Sequence, residues 1–334
     1  MTQLPECAIE FSQYMLVVKG RSKRTVEQYE IDLMIFFKFL KSKRQGLPTS
    51  GEAFDELTIF ELDYSFAESV TRAEVLEFLN FAAIGRDNQA RTRARKLSTL
   101  KSFYKYYCGT VMRFKKNPTD NIDSPKIPKT LPKHLSAEES IELLRTVSSD
   151  IENKFKERDY CIITLFLNCG MRLSELVGIN LGDIDKEMTT LRVTGKGAKE
   201  RIIYLNDACS SALISYLKTR DKEPLPGHKN ALFISAQHKR ISKQMVQSMV
   251  YKYLKTAGFD NRGLSVHKLR HTAATLMYQT GKVDIRVLKD ILGHEQLNTT
   301  QIYTHISDAE MKRAMTANPL SDVTENKLKI KDNK

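Results

Sequence analysis

A proline-rich run divides this chain. Four of its nine prolines, Pro118, Pro125, Pro128 and Pro132, fall within NPTDNIDSPKIPKTLPK, the stretch from Asn117 to Lys133. Each removes a backbone donor and fixes φ, so neither a helix nor a central strand can run through. The stretch reads as an extended strap between two units. The expected organisation is a helical unit over 1–120, a linker over 121–133, a second unit over 134–320 and a disordered tail over 321–334. That division agrees with 334 residues at roughly 150 per domain, and each part is long enough to bury a core.

With 41% hydrophobic and 28% charged residues, the composition is that of a folding chain. The longest strongly apolar stretch, Cys161 to Met171, is far short of the ~20 residues that cross a bilayer. The N-terminus has no basic-then-apolar secretion pattern. A cytoplasmic protein with no membrane partner is expected. Five cysteines, an odd number without a CxxC pair, suit neither a disulfide framework nor a zinc site, and read as small buried apolar residues. His134, His228 and His238 show no metal-ligand spacing, so no metal is expected.

Fifty-three Lys and Arg stand against forty Asp and Glu, a net charge of +13. Such an excess favours a polyanion, whose condensed counterions are released on binding. The charge is unevenly placed. Nine bases and no acid lie between Asn88 and Thr119, whereas six acids and no base lie between Gln45 and Thr71. The acidic stretch reads as an insertion, either solvated or an interaction surface.

Before the linker, Tyr29, Leu33, Phe36, Phe37 and Leu40 recur at helical spacing, as do Leu97, Leu100, Phe103, Tyr104 and Tyr107. On the second of these helices Arg91, Arg95, Lys101 and Lys105 fall opposite the apolar stripe, so one face can pack while the other meets DNA phosphates. The aromatics Phe103, Tyr104, Tyr106 and Tyr107 read as core rather than as a base-stacking platform. After the linker, Ser136 with Glu138 and Glu139 opens a helix, and another runs through Arg158 to Asn168. Met188 to Leu205 changes to strand character around a Gly-Lys-Gly turn, a β-hairpin with Lys196 at its tip. Helices resume at Ser242, and one opened by Ser265 closes near Gly281. The fold class is mainly α with a small antiparallel β-sheet (α+β).

Four stretches of the second unit carry candidate chemistry: Gly170-Met171-Arg172-Leu173-Ser174-Glu175-Leu176, His267-Lys268-Leu269-Arg270-His271, Leu292-Gly293-His294, and Thr299-Thr300-Gln301-Ile302-Tyr303-Thr304-His305. Nucleophilic cleavage of a phosphodiester gathers negative charge on the non-bridging oxygens, and preorganised cations and donors stabilise it. Two arginines and two histidines suit that task. His267 and Arg270, at i and i+3, can reach one phosphate. Arg172 follows Gly170 where a helix begins, so helix amides are placed to assist it with an anion. An unbroken helix would put His294 and Tyr303 on opposite sides, so a loop is expected between them, with Asn298 or Thr299 capping the helix of Tyr303.

In order and spacing these stretches, with the long match LGHEQLNTTQIYTH, resemble the tyrosine recombinase (phage integrase) superfamily, particularly its bacterial Xer branch. The Ser22–Leu40 helix and RTRARKLSTLKSFYKYY look like that family's SAM-like core-binding module. The resemblance implies that Arg172 and Arg270 clamp the scissile phosphate, that His267 handles the proton of the attacking hydroxyl, and that His294 donates a further hydrogen bond. It makes Lys196 the acid for the departing 5′ oxygen and Tyr303 the nucleophile, with Glu175 a supporting partner. His271 and His305 lie beside these positions without occupying one, and read as structural. A phenol of pKa near 10 is also an acceptable leaving group when the 5′ hydroxyl attacks back. The phosphotyrosyl bond keeps the energy of the broken linkage, so no cofactor is implied.

The implied partner is a double-stranded DNA target site, bound by a homotetramer or by a heterotetramer with a paralogue. Strand exchange proceeds through a Holliday junction, in chromosome dimer resolution or in integration and excision of a mobile element. Two other readings stand beside it: a non-catalytic DNA-binding or architectural protein on the same fold, and a type IB topoisomerase-like relaxing enzyme. The complete catalytic set argues against the first, and the Xer-type motifs against the second. Met311 to Pro319 loosely resembles the Xer C-terminal helix that docks on a neighbouring subunit, although a histidine often found before the proline is absent.

Overall fold

The computed structural model describes residues 4–126, 133–195, 200–281, 283–284, 287–288, 291 and 308–331. The chain forms two compact units, Met1–Thr130 and Leu131–Lys334.

In the first unit, α1 (Glu6–Val17) and α2 (Lys23–Arg44) precede two short helices, α3 (Glu52–Asp55) and α4 (Tyr64–Glu68). Then come α5 (Arg72–Asn80) and α6 (Ala90–Lys105). Helix α2 starts where the Ser22 hydroxyl accepts the Thr25 amide and ends on Lys41, Lys43 and Arg44, cations placed against the negative end of the dipole. Phe11, Phe36, Phe37, Phe78 and Phe103 fill the core, together with Tyr104 and Tyr107. The aromatics of α6 and the turn after it are therefore core residues, as expected. The tyrosine hydroxyls find partners, as buried ones must. Tyr64, Tyr106 and Tyr107 all donate to Glu10, at 2.8–2.9 Å, and Tyr104 donates to the Ala67 carbonyl at 3.0 Å.

The acidic segment 45–71 is not a solvated insertion. Phe54, Ile59, Ala67 and Val70 are buried in the first unit's core. The lysines of α2 answer the segment's oxygens: Lys38 donates to the Asp55 carbonyl, and Lys41 donates to the Thr58 carbonyl and pairs with Glu61. Apolar residues interleaved with the acids give the segment a face to bury, and the basic end of α2 supplies the counter-charge.

The second unit is built on α8 (Lys156–Cys169), every residue of which from Arg158 onward is buried. Helices α7 (Ala137–Ser148), α10 (Asp207–Thr219) and α12 (Val266–Gln279) pack around it. A helix apolar on all sides needs neighbours on all sides. The run Cys161 to Met171 is thus core, and among the described residues no helix is long and apolar enough to cross a membrane. Helix α7 opens with a reciprocal capping box between Ser136 and Glu139, and α11 (Lys243–Thr256) is capped by Ser242. Strands β1 (Thr190–Thr194) and β2 (Glu200–Tyr204) pair antiparallel, with Leu191 opposite Ile203 and Val193 opposite Arg201. The predicted hairpin is present; its tip, with Lys196, lies outside the described residues. Cys7, Cys161, Cys169 and Cys209 are free and buried, and Cys108 is half-buried.

The C-terminal stretch corrects one expectation. The segment read as a disordered tail over 321–334 contains a helix at Glu325–Lys331, and Leu328 on it joins the core. Its mixed charges conceal one apolar position that finds cover. The preceding helix, Asp308–Thr316, and the turn after it bury Ala314, Met315 and Leu320 in this chain's own core. Asn318 ties the turn down by donating to the Leu167 carbonyl at 3.1 Å.

Candidate active site

Helix α8 ends at Gly170, whose φ of +57° and ψ of +30° are left-handed, a conformation that glycine adopts without the Cβ penalty. The reversal aims the Gly170 carbonyl at α12, where Arg270 Nη1 donates to it at 2.7 Å. Two residues on, Arg172 caps α9 (Leu173–Gly178). From α12 come His267 and, about one turn later, Arg270. Arg172, His267 and Arg270 line one cavity of about 350 Å³, which Lys243, Gln247 and Tyr251 of α11 also border. Another concavity, around Lys154, Arg158, Arg220 and His238, holds none of the expected site residues.

Arg172 is held by Glu175, which is 2% exposed. One carboxylate oxygen, Oε1, accepts from Arg172 Nη1 at 2.8 Å and from Arg201 Nη1 at 2.7 Å. The other, Oε2, accepts the Arg172 amide at 2.7 Å and Arg201 Nη2 at 3.0 Å. Burial pushes this carboxyl up, but the fork from Arg201 and the two donors of Arg172 outweigh it and bring its pKa down to about 2. The Arg172 amide, expected to help hold an anion, is therefore already engaged.

Arg270 is 4% exposed. Burial first, then the charge of Arg172, bring its pKa down to about 10, so it remains a cation at neutral pH. His267 titrates below its usual range because burial, Arg270, Lys268 and Arg172 all disfavour its charged form. It is neutral at pH 7 and able to accept a proton. The His271 ring packs edge-on against it, with centroids 4.8 Å apart. Lys196, His294 and Tyr303, and with them the expected loop and the Asn298 or Thr299 cap, lie outside the described residues.

Sequence reasoning passed over Arg201. The signal was available: Arg201 shares a strand face with Ile203, which is buried, while Ile202 between them is 53% exposed. An arginine on the inward face of a strand demands a buried acid. Lys243, Gln247 and Tyr251 were also missed, although their four-residue spacing puts them on one helix face.

In the first unit the basic residues of α6 split. Arg91 and Lys105 are exposed. Arg95 pairs with Asp32, which is 1% exposed and also receives Lys96 at 3.1 Å and Thr99 at 2.9 Å. Lys101 donates to the Ile122 carbonyl at 2.6 Å.

Comparison with known proteins bears on the whole chain. Residues 133–310 match the profile of the phage integrase family. The chain belongs to that family. A phage integrase relative from Caldanaerobacter subterraneus subsp. tengcongensis, "Tyrosine recombinase XerC", is 48% identical over 317 residues, covering 95% of this chain and 88% of the relative. Another of the same name, from Chlamydia caviae, is 33% identical over 301 residues, 89% of this chain and 93% of that one. Two solved structures share the fold. XerH site-specific recombinase bound to difH substrate, in a pre-cleavage complex, aligns with a TM-score of 0.64 at 22% identity over 92% of this chain and 83% of that chain. A lambda integrase (75–356) dimer bound to a COC′ core site aligns with a TM-score of 0.59 at 18% identity over 90% of this chain and 98% of that chain. This member of the phage integrase family is a tyrosine-type site-specific recombinase of the Xer-like branch. Its fold class is the one expected: mainly helical, with a two-stranded antiparallel sheet.

Proposed function

We propose that the cavity holding Arg172, His267 and Arg270 is where this recombinase breaks and rejoins DNA, with Tyr303 as nucleophile. The observation that carries the proposal is the convergence of those three side chains, far apart in sequence, on one concave site. Arg172 and Arg270 bind the non-bridging oxygens of the scissile phosphate. His267, neutral in this setting, takes the phenolic proton as the Tyr303 oxygen attacks phosphorus. The bond from phosphorus to the 5′ oxygen breaks, Lys196 supplies the proton that leaves with that oxygen, and His294 donates to the phosphate. Attack by a free 5′ hydroxyl runs the same steps backward, returning the proton to tyrosine and joining the new strand.

The Xer-like branch supports chromosome dimer resolution as the task. In that reading four subunits, identical or paired with a paralogue, exchange one strand pair and then the other through a Holliday junction. The first unit grips the target duplex, its exposed cations meeting phosphates, while the second carries the chemistry.

The protein is incubated with a pool of nicked duplexes of randomised sequence, and the covalent adducts that survive denaturation are recovered and sequenced. The expected result is an adduct enriched for one sequence and abolished by Tyr303→Phe. An adduct that persists in that variant rejects Tyr303 as nucleophile; no adduct with the unaltered protein rejects the catalytic reading.

A further inference from the structure

We infer that Arg201 is a positioning residue for strand cleavage: its fork on Glu175 neutralises that buried carboxylate and leaves the charge of Arg172 to the DNA phosphate. The inference rests on the reading of the Arg172 cavity given above and extends it to a residue on β2 outside the cavity.

The argument is one of charge in a confined place. Glu175 is a buried carboxylate directly bonded to the guanidinium that faces the cavity. Alone, those two make a closed ion pair. In a poorly screened setting such a pair cancels most of the field Arg172 projects toward an incoming phosphate. Arg201 changes the sum. With its two terminal nitrogens on the two carboxylate oxygens, bidentate at 2.7 and 3.0 Å, it matches the planar geometry of Glu175 in a way a lysine cannot. Arg172, Glu175 and Arg201 together carry +1, where Arg172 and Glu175 alone carry none. A phosphodiester brings a single negative charge, and the five-coordinate state formed by phenoxide attack carries two. That added negative charge draws more on the Arg172 guanidinium than the ground state does, so neutralising Glu175 with a cation other than Arg172 favours cleavage.

A purely mechanical role is the competing explanation, because the same fork ties β2 to α9. The two differ in what Glu175 does once Arg201 is gone. If Arg201 only braces the strand, removing the carboxylate's charge cannot help. If it neutralises Glu175, then without it the carboxylate becomes the liability, and removing its charge restores activity.

The test measures single-turnover cleavage of the duplex recovered as covalent adduct, at saturating protein, for the full-length chain and for R201Q, R201K, E175Q and R201Q/E175Q. Melting and DNA affinity are measured alongside. R201Q keeps polar groups of similar reach, so loss of charge dominates its effect. We expect R201Q to cleave roughly 10- to 100-fold more slowly, less than the loss of a donor acting directly on the transition state, with DNA affinity reduced much less because other phosphate contacts hold the duplex. R201K should fall between R201Q and the parent. The decisive result is a reversal of sign: E175Q slows the parent but speeds R201Q. A parental rate for R201Q, or slowing by E175Q in both backgrounds, overturns the inference while leaving the recombinase reading in place. If R201Q does not fold, the same sign test with R201M decides. Absence of any adduct with the parent rejects the recombinase reading and this inference with it.

Discussion

His267 shows how a site sets a residue's chemistry through its neighbours. A histidine on a solvated helix would titrate near 6.5, but burial and the surrounding cations Arg270, Lys268 and Arg172 lower it. A lowered pKa in a base means that the proton-accepting form persists to more acidic pH. The acidic inflection of single-turnover cleavage should therefore fall below the ordinary 6.5. A rate profile with its acidic inflection above 6.5 would remove His267 as the proton acceptor. The identity of His267 and Arg270 as candidates was legible from spacing alone. The state of His267 was not, because its burial and one of its neighbouring cations come from packing: Arg172 lies almost a hundred positions away in sequence and reaches it through the turn at Gly170.

Among the elements, the terminal helix Glu325–Lys331 is the one whose character changed most between sequence and structure. Seven residues of mixed charge hold no helical promise alone, since an isolated helix of that length does not survive in water. Leu328, 4% exposed in the core of the second unit, supplies what local propensity lacks. Leu328→Ala should destabilise the protein by about 2–5 kcal/mol, read as a shift in the denaturant midpoint of the second unit. A change within about 0.5 kcal/mol, the range of ordinary surface substitutions, would restore the reading of a tail. The acidic segment makes the same point at the other end. Phe54 and Ile59 were visible between its acids, but only the basic end of α2 packed against it explains why the charges do not keep it in solvent.

For the whole molecule, the excess of +13 is two quantities that composition adds together. Some bases serve the fold: Arg95 and Lys96 hold Asp32, Lys101 caps the Ile122 carbonyl, and Arg113 lies over the Tyr64 ring at 3.4 Å. Others, Arg91 and Lys105 among them, remain exposed and available to phosphates. Replacing Arg91 and Lys105 by alanine should weaken duplex binding and reduce the slope of log affinity against log salt by about 0.9 for each phosphate that is no longer neutralised. Lys101→Ala should leave that slope closer to the parent's. Equal slopes for all three variants would show that exposure does not sort these cations.

By itself the sequence determined the helical character of both units, the hairpin and the order of the candidate catalytic residues. Each follows from local rules, whether an apolar period, a turn-forming pair of glycines or a spacing along one helix. Tertiary structure decided which charges are spent inside the protein and which face outward. It brought Arg172 to His267 and Arg270, placed Arg201 on Glu175, folded the acidic segment onto α2 and covered Leu328. Electrostatics and burial depend on distance in space rather than along the chain, and only packing sets that distance.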